Sequence, residues 1–222
     1  AHADPAAELP VVFTVLDARF HLRGRSAART VRPAEFFKTH LTTALEPDEL
    51  LTEIEVPTPP PGASTSFVEF ARRHGDFALG GAAAMVDLDG DGRCREARIA
   101  LLAAAPTPVR ATGAESVLVG HELNIEAAAE ARALTEAEIE PTGDVHGSSE
   151  YRRLLIGALV ERAVLEREHS DIINEAVNYR LAMLGLSDEA LPENVRGVDR
   201  AQLGDAYLVV YSSSTKMSRA RD

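Results

Sequence analysis

Hydrophobic and polar positions change period along this chain, and each change marks a different kind of element. Val11-Val12-Phe13-Thr14-Val15-Leu16 is a nearly unbroken apolar run that passes into Ala18, Phe20 and Leu22 at every second position. Alternation of this kind sends side chains to the two faces of an extended backbone. The run therefore predicts a hairpin over 11–32, turning through Arg23-Gly24-Arg25-Ser26 toward Thr30-Val31. Pro33-Ala34-Glu35-Phe36-Phe37 places proline where a helical first turn tolerates it, with both phenylalanines read as packing. Leu50 to Val56 alternates as a strand and stops at Pro57-Thr58-Pro59-Pro60-Pro61-Gly62, whose prolines cannot donate to a ladder and favour an extended linker.

Beyond the linker, Ser66 to Arg73, Phe77 to Leu88 and Arg98 to Ala105 read as three antiparallel strands. The first two are separated by His74-Gly75-Asp76 and the last two by the tight turn Asp89-Gly90-Asp91-Gly92. Helical signals then take over. Thr112-Gly113-Ala114-Glu115 has the spacing of a capping box opening a helix that Gly120 stops. Asn124 caps a second helix running to about Ile139, before Pro141. A third begins after Ser148 and carries Tyr151, Leu154, Leu155, Ala158 and Leu159 on one face. Strands followed by helices predict an α+β fold, here a three-stranded antiparallel sheet with a small helical bundle. After about Glu166 the character shifts: Asp171 to Leu184 can continue as helix and Ala206 to Tyr211 as a strand. The expected organisation is 1–57, a linker at 58–63, a domain at 64–166 and an unassigned tail at 167–222.

Composition narrows the function. The 222 residues are 45% hydrophobic and 26% charged, with no tryptophan and a formal charge of -12, an ordinary globular balance that repels phosphate backbones. One cysteine, Cys94, rules out an intrachain disulfide and cannot supply an iron–sulfur cluster, so a reducing, cytoplasmic setting is expected. Asp87-Leu88-Asp89-Gly90-Asp91-Gly92 imitates the start of a calcium loop, but its twelfth position falls on Arg98, a cation where a bidentate acid is needed; a hairpin turn is the better reading. The pair Gly80-Gly81 lacks the G-x-G-x-x-G spacing of a nicotinamide fold and fits close backbone packing. Seven scattered histidines and the absence of G-x-S-x-G predict neither a metal site nor a catalytic nucleophile.

Arg72-Arg73-His74-Gly75-Asp76-Phe77-Ala78, followed by the small-residue run Gly80-Gly81-Ala82-Ala83-Ala84, resembles the FAD-binding medium subunit of the molybdenum hydroxylases, the carbon monoxide dehydrogenase and xanthine dehydrogenase family. Independently, Ala1-His2-Ala3-Asp4-Pro5-Ala6-Ala7-Glu8-Leu9-Pro10 resembles the segment behind that family's second Gly-Gly pyrophosphate motif. Phe36-Phe37 and Thr42-Thr43-Ala44-Leu45 are similar too. The likeness runs in order over residues 1 to 165, which implies that the chain starts partway through an FAD-binding domain, with residues 1–57 its C-terminal part and 64–166 the flavoprotein C-terminal domain.

The resemblance implies a set of FAD contacts. His2 and Asp4 match positions beside the phosphates and ribityl chain, and Glu8 an acid that hydrogen-bonds the ribityl. Leu51, with Leu50 as the close alternative, matches a backbone contact to the isoalloxazine edge; Asp76 and Phe77 match the turn whose aromatic lies against the flavin. Taken without the resemblance, Phe77 is a core aromatic at a strand start, Asp76 a turn residue, Glu8 a polar residue before a strand and Leu51 core. Arg72 and Arg73 are either solvated charges or face a redox partner. The implied function is an electron relay without catalytic residues of its own, since the isoalloxazine carries the electron chemistry. The implied partners are a molybdenum-pterin large subunit and a 2Fe-2S small subunit. The alternative is a non-catalytic assembly module that does not bind FAD by itself.

Overall fold

The computed structural model describes residues 2–73, 76–166 and 206–209. The chain begins with a helix, α1 (Glu8–Val15), where the sequence predicts a strand. Pro10 to Leu16 are all buried and the Thr14 hydroxyl donates to the Pro10 carbonyl at 2.7 Å. A short apolar run buried all round shows neither the period of a strand nor that of a surface helix, so tertiary packing decides its form. The expected hairpin survives only in its second half, as β1 (Arg19–Arg23) and β2 (Ala28–Val31).

Next come α2 (Pro33–Phe36), with proline in its first turn, and the short pair β3 (Phe37–Thr39) and β4 (Thr42–Thr43). Phe36 and Phe37 are buried as expected. The Phe20 and Phe36 rings stack at 4.4 Å, and Phe37 meets both edge-on. β5 (Leu50–Pro57) pairs with β1, and β10 (Ala206–Val209) adds to its other side, giving the order β10-β5-β1-β2. Of the expected strand at 206–211, residues 206–209 form a strand and the other two lie outside the described residues. The expected helix over Asp171 to Leu184 lies outside the described residues.

Residues 58–63 connect this sheet to a second one: β6 (Ser64–Phe70), β7 (Gly80–Leu88), β8 (Cys94–Leu102) and β9 (Val109–Arg110), in sequential antiparallel order. The two-residue β9 adds a fourth strand to the three expected. β7 starts three residues after Phe77, which lies outside the sheet, and β6 ends three residues before Arg73. In the β7–β8 turn the Asp89 carboxylate accepts from the amides of Asp91 and Arg93, both at 2.9 Å.

Three helices, α3 (Thr112–Leu118), α4 (Ile125–Glu138) and α5 (Ser149–Leu165), cover one face of this sheet. Asn124 and Ser148 cap α4 and α5 through their side chains as the sequence predicts. The expected capping box at Thr112 does not form, because the N-cap is Ala111 and the Glu115 carboxylate is taken by the Ile99 amide at 2.7 Å and by Arg110. On α5 the buried face carries Arg152, Ile156, Leu159, Val160 and Ala163, whereas Tyr151 and Leu154 are exposed, a rotation from the expected face.

β7 is buried along nearly its whole length because both of its faces are covered. Ala82, Ala84 and Val86 face the helices, while Ala83 and Met85 join α1, β1 and β5 in a second apolar cluster. Small residues make this sandwich possible. A Cβ on Gly80 would stand 2.6 Å from Ile156 Cγ1, and one on Gly81 only 2.9 Å from the Val68 carbonyl oxygen.

Candidate functional site

Three short segments carry the residues the sequence singles out, and each is anchored by specific backbone contacts. In the first, Asp4 folds the chain into a turn: its carboxylate accepts from the Ala6 amide at 2.9 Å and its carbonyl from the Ala7 amide at 3.1 Å. The Ala3 carbonyl accepts from Leu41 and the Pro5 carbonyl from Ala103. Ala3, Leu41 and Ala103 all adopt left-handed backbone, with φ of 52°, 53° and 57°. Three of the four such non-glycine residues among those described therefore meet at this one segment. Each conformation costs about 1 kcal/mol or more, and such strain gathers where a site requires it.

In the second segment, Arg29 clamps the Glu49 carboxylate with two hydrogen bonds at 2.8 and 2.7 Å and reaches the Ala44 carbonyl. The guanidinium and the Glu46 amide hold the Glu49 carboxyl down to about 2. This clamp fixes the turn from which Leu50 and Leu51 leave. Leu50 is 66% exposed, while Leu51 pairs with Leu22 and packs against the second apolar cluster.

The third segment is the turn between β6 and β7. The Asp76 amide donates to the Arg73 carbonyl, and the Leu79 amide to the Phe70 carbonyl at 2.8 Å. Ala78 and Leu79 are buried, whereas Asp76 is exposed and Phe77 stands 75% exposed. The reading of Phe77 as a core aromatic is thus overturned: β7 begins later, and the ring lies outside the protein interior.

Gly81 of β7 pairs with Leu102 of β8, and Ala103, next in the chain, donates to Pro5. The first and third segments therefore lie at the same end of the β7–β8 pair. Ala3, Ala78 and the partly buried Leu9 and Leu51 belong to one apolar cluster, so the immediate surroundings of all three segments share a core. His2 is exposed, and Asp4 and Glu8 are half-buried. Among the described residues no hydrogen bond or ion pair joins one of the seven predicted side chains to another.

A cleft of about 540 Å³ lies elsewhere, over the β1–β2 hairpin, lined by His21, Arg23, Arg25, Arg29 and their neighbours. Leu50 and Leu51 are strand partners of Arg23 and Leu22, two of its lining residues. The cleft is polar and open, and its Arg29 is already paired, so it offers no flat apolar surface.

Two groups escape sequence reasoning. One is the set of left-handed alanines, since alanine carries no signal for that conformation. The other is Arg152, buried on α5, which donates to the Leu79 carbonyl at 2.9 Å and to Asp144 at 2.7 Å. Nothing in Tyr151-Arg152-Arg153 distinguishes it from the arginine that follows.

Two family models match the chain in succession: the FAD binding domain in molybdopterin dehydrogenase over residues 1–59, and the CO dehydrogenase flavoprotein C-terminal domain over residues 65–167. The chain is 40% identical over 169 residues to the 6-hydroxypseudooxynicotine dehydrogenase complex subunit alpha of Paenarthrobacter nicotinovorans, an alignment covering 76% of this chain and 57% of that one. It is 38% identical over 164 residues to the carbon monoxide dehydrogenase medium chain of Afipia carboxidovorans, covering 74% and 57%. A solved carbon monoxide dehydrogenase from Hydrogenophaga pseudoflava superposes with a TM-score of 0.72 at 34% identity, over 75% of this chain and 57% of that one. The chain thus spans a little over half the length of these relatives.

Proposed function

Because the chain belongs to the family of FAD-binding medium subunits of the molybdenum hydroxylases, we propose that it holds the isoalloxazine end of FAD and relays electrons from 2Fe-2S clusters to an external acceptor. Its proposed partners are a small iron–sulfur subunit and a large molybdenum-binding subunit, on which substrate is oxidised. The observation that carries the assignment is Phe77: a large apolar ring on a turn fixed at both ends, three-quarters exposed, at the end of the β7–β8 pair where the Asp4–Glu8 segment also lies. Exposed aromatic rings on pinned backbone supply flat contact area at low entropic cost.

The residues present fit the ring end of the cofactor. Phe77 offers a flat face, Glu8 a half-buried carboxylate for ribityl hydroxyls, and Leu51 a backbone edge. FAD supplies the redox chemistry when bound; the chain's side chains orient it and exclude water from one face. The sequence contains no glycine-rich phosphate loop, so backbone donors for the pyrophosphate are few and the 222-residue chain alone should bind FAD weakly. The assembly-module alternative is not favoured, because the FAD-binding domain model covers residues 1–59.

Titrating the ¹⁵N-labelled chain with riboflavin and with FAD tests this reading. The expected result is weak binding of both, with similar affinity, and amide shifts confined to residues 2–8, 50–51 and 76–79. Shifts centred on the β1–β2 cleft, or none at millimolar ligand, would overturn it.

A further inference from the structure

We propose that Arg152 is a positioning residue, holding the Phe77-bearing turn in place through the Leu79 carbonyl. The inference rests on the flavin reading only for its functional meaning; the mechanical link stands by itself.

Arg152 and Ile156 lie one turn apart on the face of α5 that packs against the start of β7. Ile156 approaches Gly80 so closely that a Cβ there would meet it at 2.6 Å. Arg152, one turn nearer the helix start, comes opposite the residue before Gly80 and donates from Nη1 to the Leu79 carbonyl, 73 residues away in sequence. Nη2 reaches Asp144 on the turn closed by Gly147. Leu79 is thereby held on both sides: its amide by Phe70 and its carbonyl by Arg152. Phe77 is two residues upstream, joined to that anchor through the buried Ala78.

This arrangement is costly as a stability device. The guanidinium is almost fully buried, its Nε has no hydrogen-bond partner, and its carboxylate partner is half-exposed. Replacing a buried charge pair by apolar groups of similar volume is commonly neutral or stabilising, so stability alone does not call for an arginine here. A planar fork that spans two acceptors of different kinds, one on each side of a helix start, does. A lysine at 152 has one ammonium and cannot hold both acceptors in the same geometry.

The test compares the wild-type chain with Arg152→Met and with the double variant Arg152→Met/Asp144→Leu, which leaves no charge of the pair behind and guards against misfolding of the single variant. Amide exchange is followed by NMR at Asp76 and Leu79 and, as internal control, within α4. Loss of the Leu79 tether should accelerate exchange at Leu79 at least about ten-fold in both variants while α4 amides keep their rates. FAD shifts at Phe77 should also shrink at equal ligand concentration. Unchanged exchange at Leu79, or equal acceleration throughout the molecule, would overturn the inference. Failure of the flavin reading shows separately, as absent Phe77 shifts in the wild-type chain; accelerated Leu79 exchange in the variants would still support the tether.

Discussion

Truncating Phe77 separates a ligand-facing ring from a structural one, because the two roles predict opposite orders of damage. A phenylalanine side chain presents about 200 Å² for burial. With Phe77 75% exposed, only about 50 Å² of that is covered by protein, which at about 25 cal/mol per Å² corresponds to about 1 kcal/mol of folding stability. Phe77→Ala should therefore lower the unfolding free energy of the ligand-free chain by about 1 kcal/mol or less. Phe20→Ala provides the comparison: Phe20 is fully buried and stacked on Phe36, and its truncation should cost about 3 to 5 kcal/mol. If a flavin ring covers one face, about half of the remaining 150 Å², it contributes about 2 kcal/mol, so flavin affinity should fall about thirty-fold. Urea unfolding of the chain beside flavin titration reads both numbers. A loss of 3 kcal/mol or more in the ligand-free protein, with unchanged flavin affinity, would refute the reasoning.

Four further outcomes follow from named contacts. Glu49 is held at about 2 against an ordinary 4.5, so its contribution to stability is complete above pH 4.5 and is lost as pH falls toward 2; the acid limb of a stability–pH profile should flatten in that window in Arg29→Met. Cys94 is 1% exposed and burial, aided by the Asp87 charge, pushes its thiol up to about 11, so a thiol reagent at pH 8 should label it only after denaturant is added. Gly81→Val should destabilise by about 1 to 3 kcal/mol or prevent folding, since its Cβ would stand 2.9 Å from the Val68 carbonyl oxygen; a variant with wild-type Tm would contradict the packing described. Ala103→Gly relieves a left-handed alanine and should leave the protein unchanged or up to about 1 kcal/mol more stable by urea unfolding, whereas Ala83→Gly in the middle of β7 should destabilise it.

What could be read in the sequence divides according to how local its physical cause is. Asn124 and Ser148 cap their helices because an N-cap needs only its own side chain and an amide three residues on. The capping box at Thr112 looks equally good on paper and fails, because Glu115 has better partners in Arg110 and the Ile99 amide, which only the fold supplies. The run from Val11 to Leu16 suggests a strand and forms a helix for the same reason: a segment buried on all sides has no polar face to reveal its period. The buried face of α5 departs from the apolar count because it includes an arginine and a glycine, residues that such a count passes over. Within the candidate site, Phe77, Glu8 and Leu51 became visible through family resemblance, while the positive-φ alanines and the Arg152 tether depend on contacts between residues far apart in sequence.

The site's parts are fastened to different supports, and this bears on how a ligand would act on the chain. The Asp4–Glu8 segment is tied to β8 through Ala103 and to the β3–β4 connection through Leu41, and Leu50 follows a turn clamped by Arg29 from β2. The Phe77 turn instead takes its hold from β6 through Phe70 and from α5 through Arg152. Beyond the shared apolar cluster, no hydrogen bond among the described residues joins residues 2–8 or 50–51 directly to residues 76–79. A ring held between Phe77 and the Glu8–Leu51 side would add a link between segments that share an apolar cluster there. Binding at that position stabilises the joint arrangement by whatever free energy the ligand gives to it alone, and the protection it confers should be greatest where the supports differ, at the amides of Asp76 and Leu79 on one side and of Ala6 and Ala7 on the other.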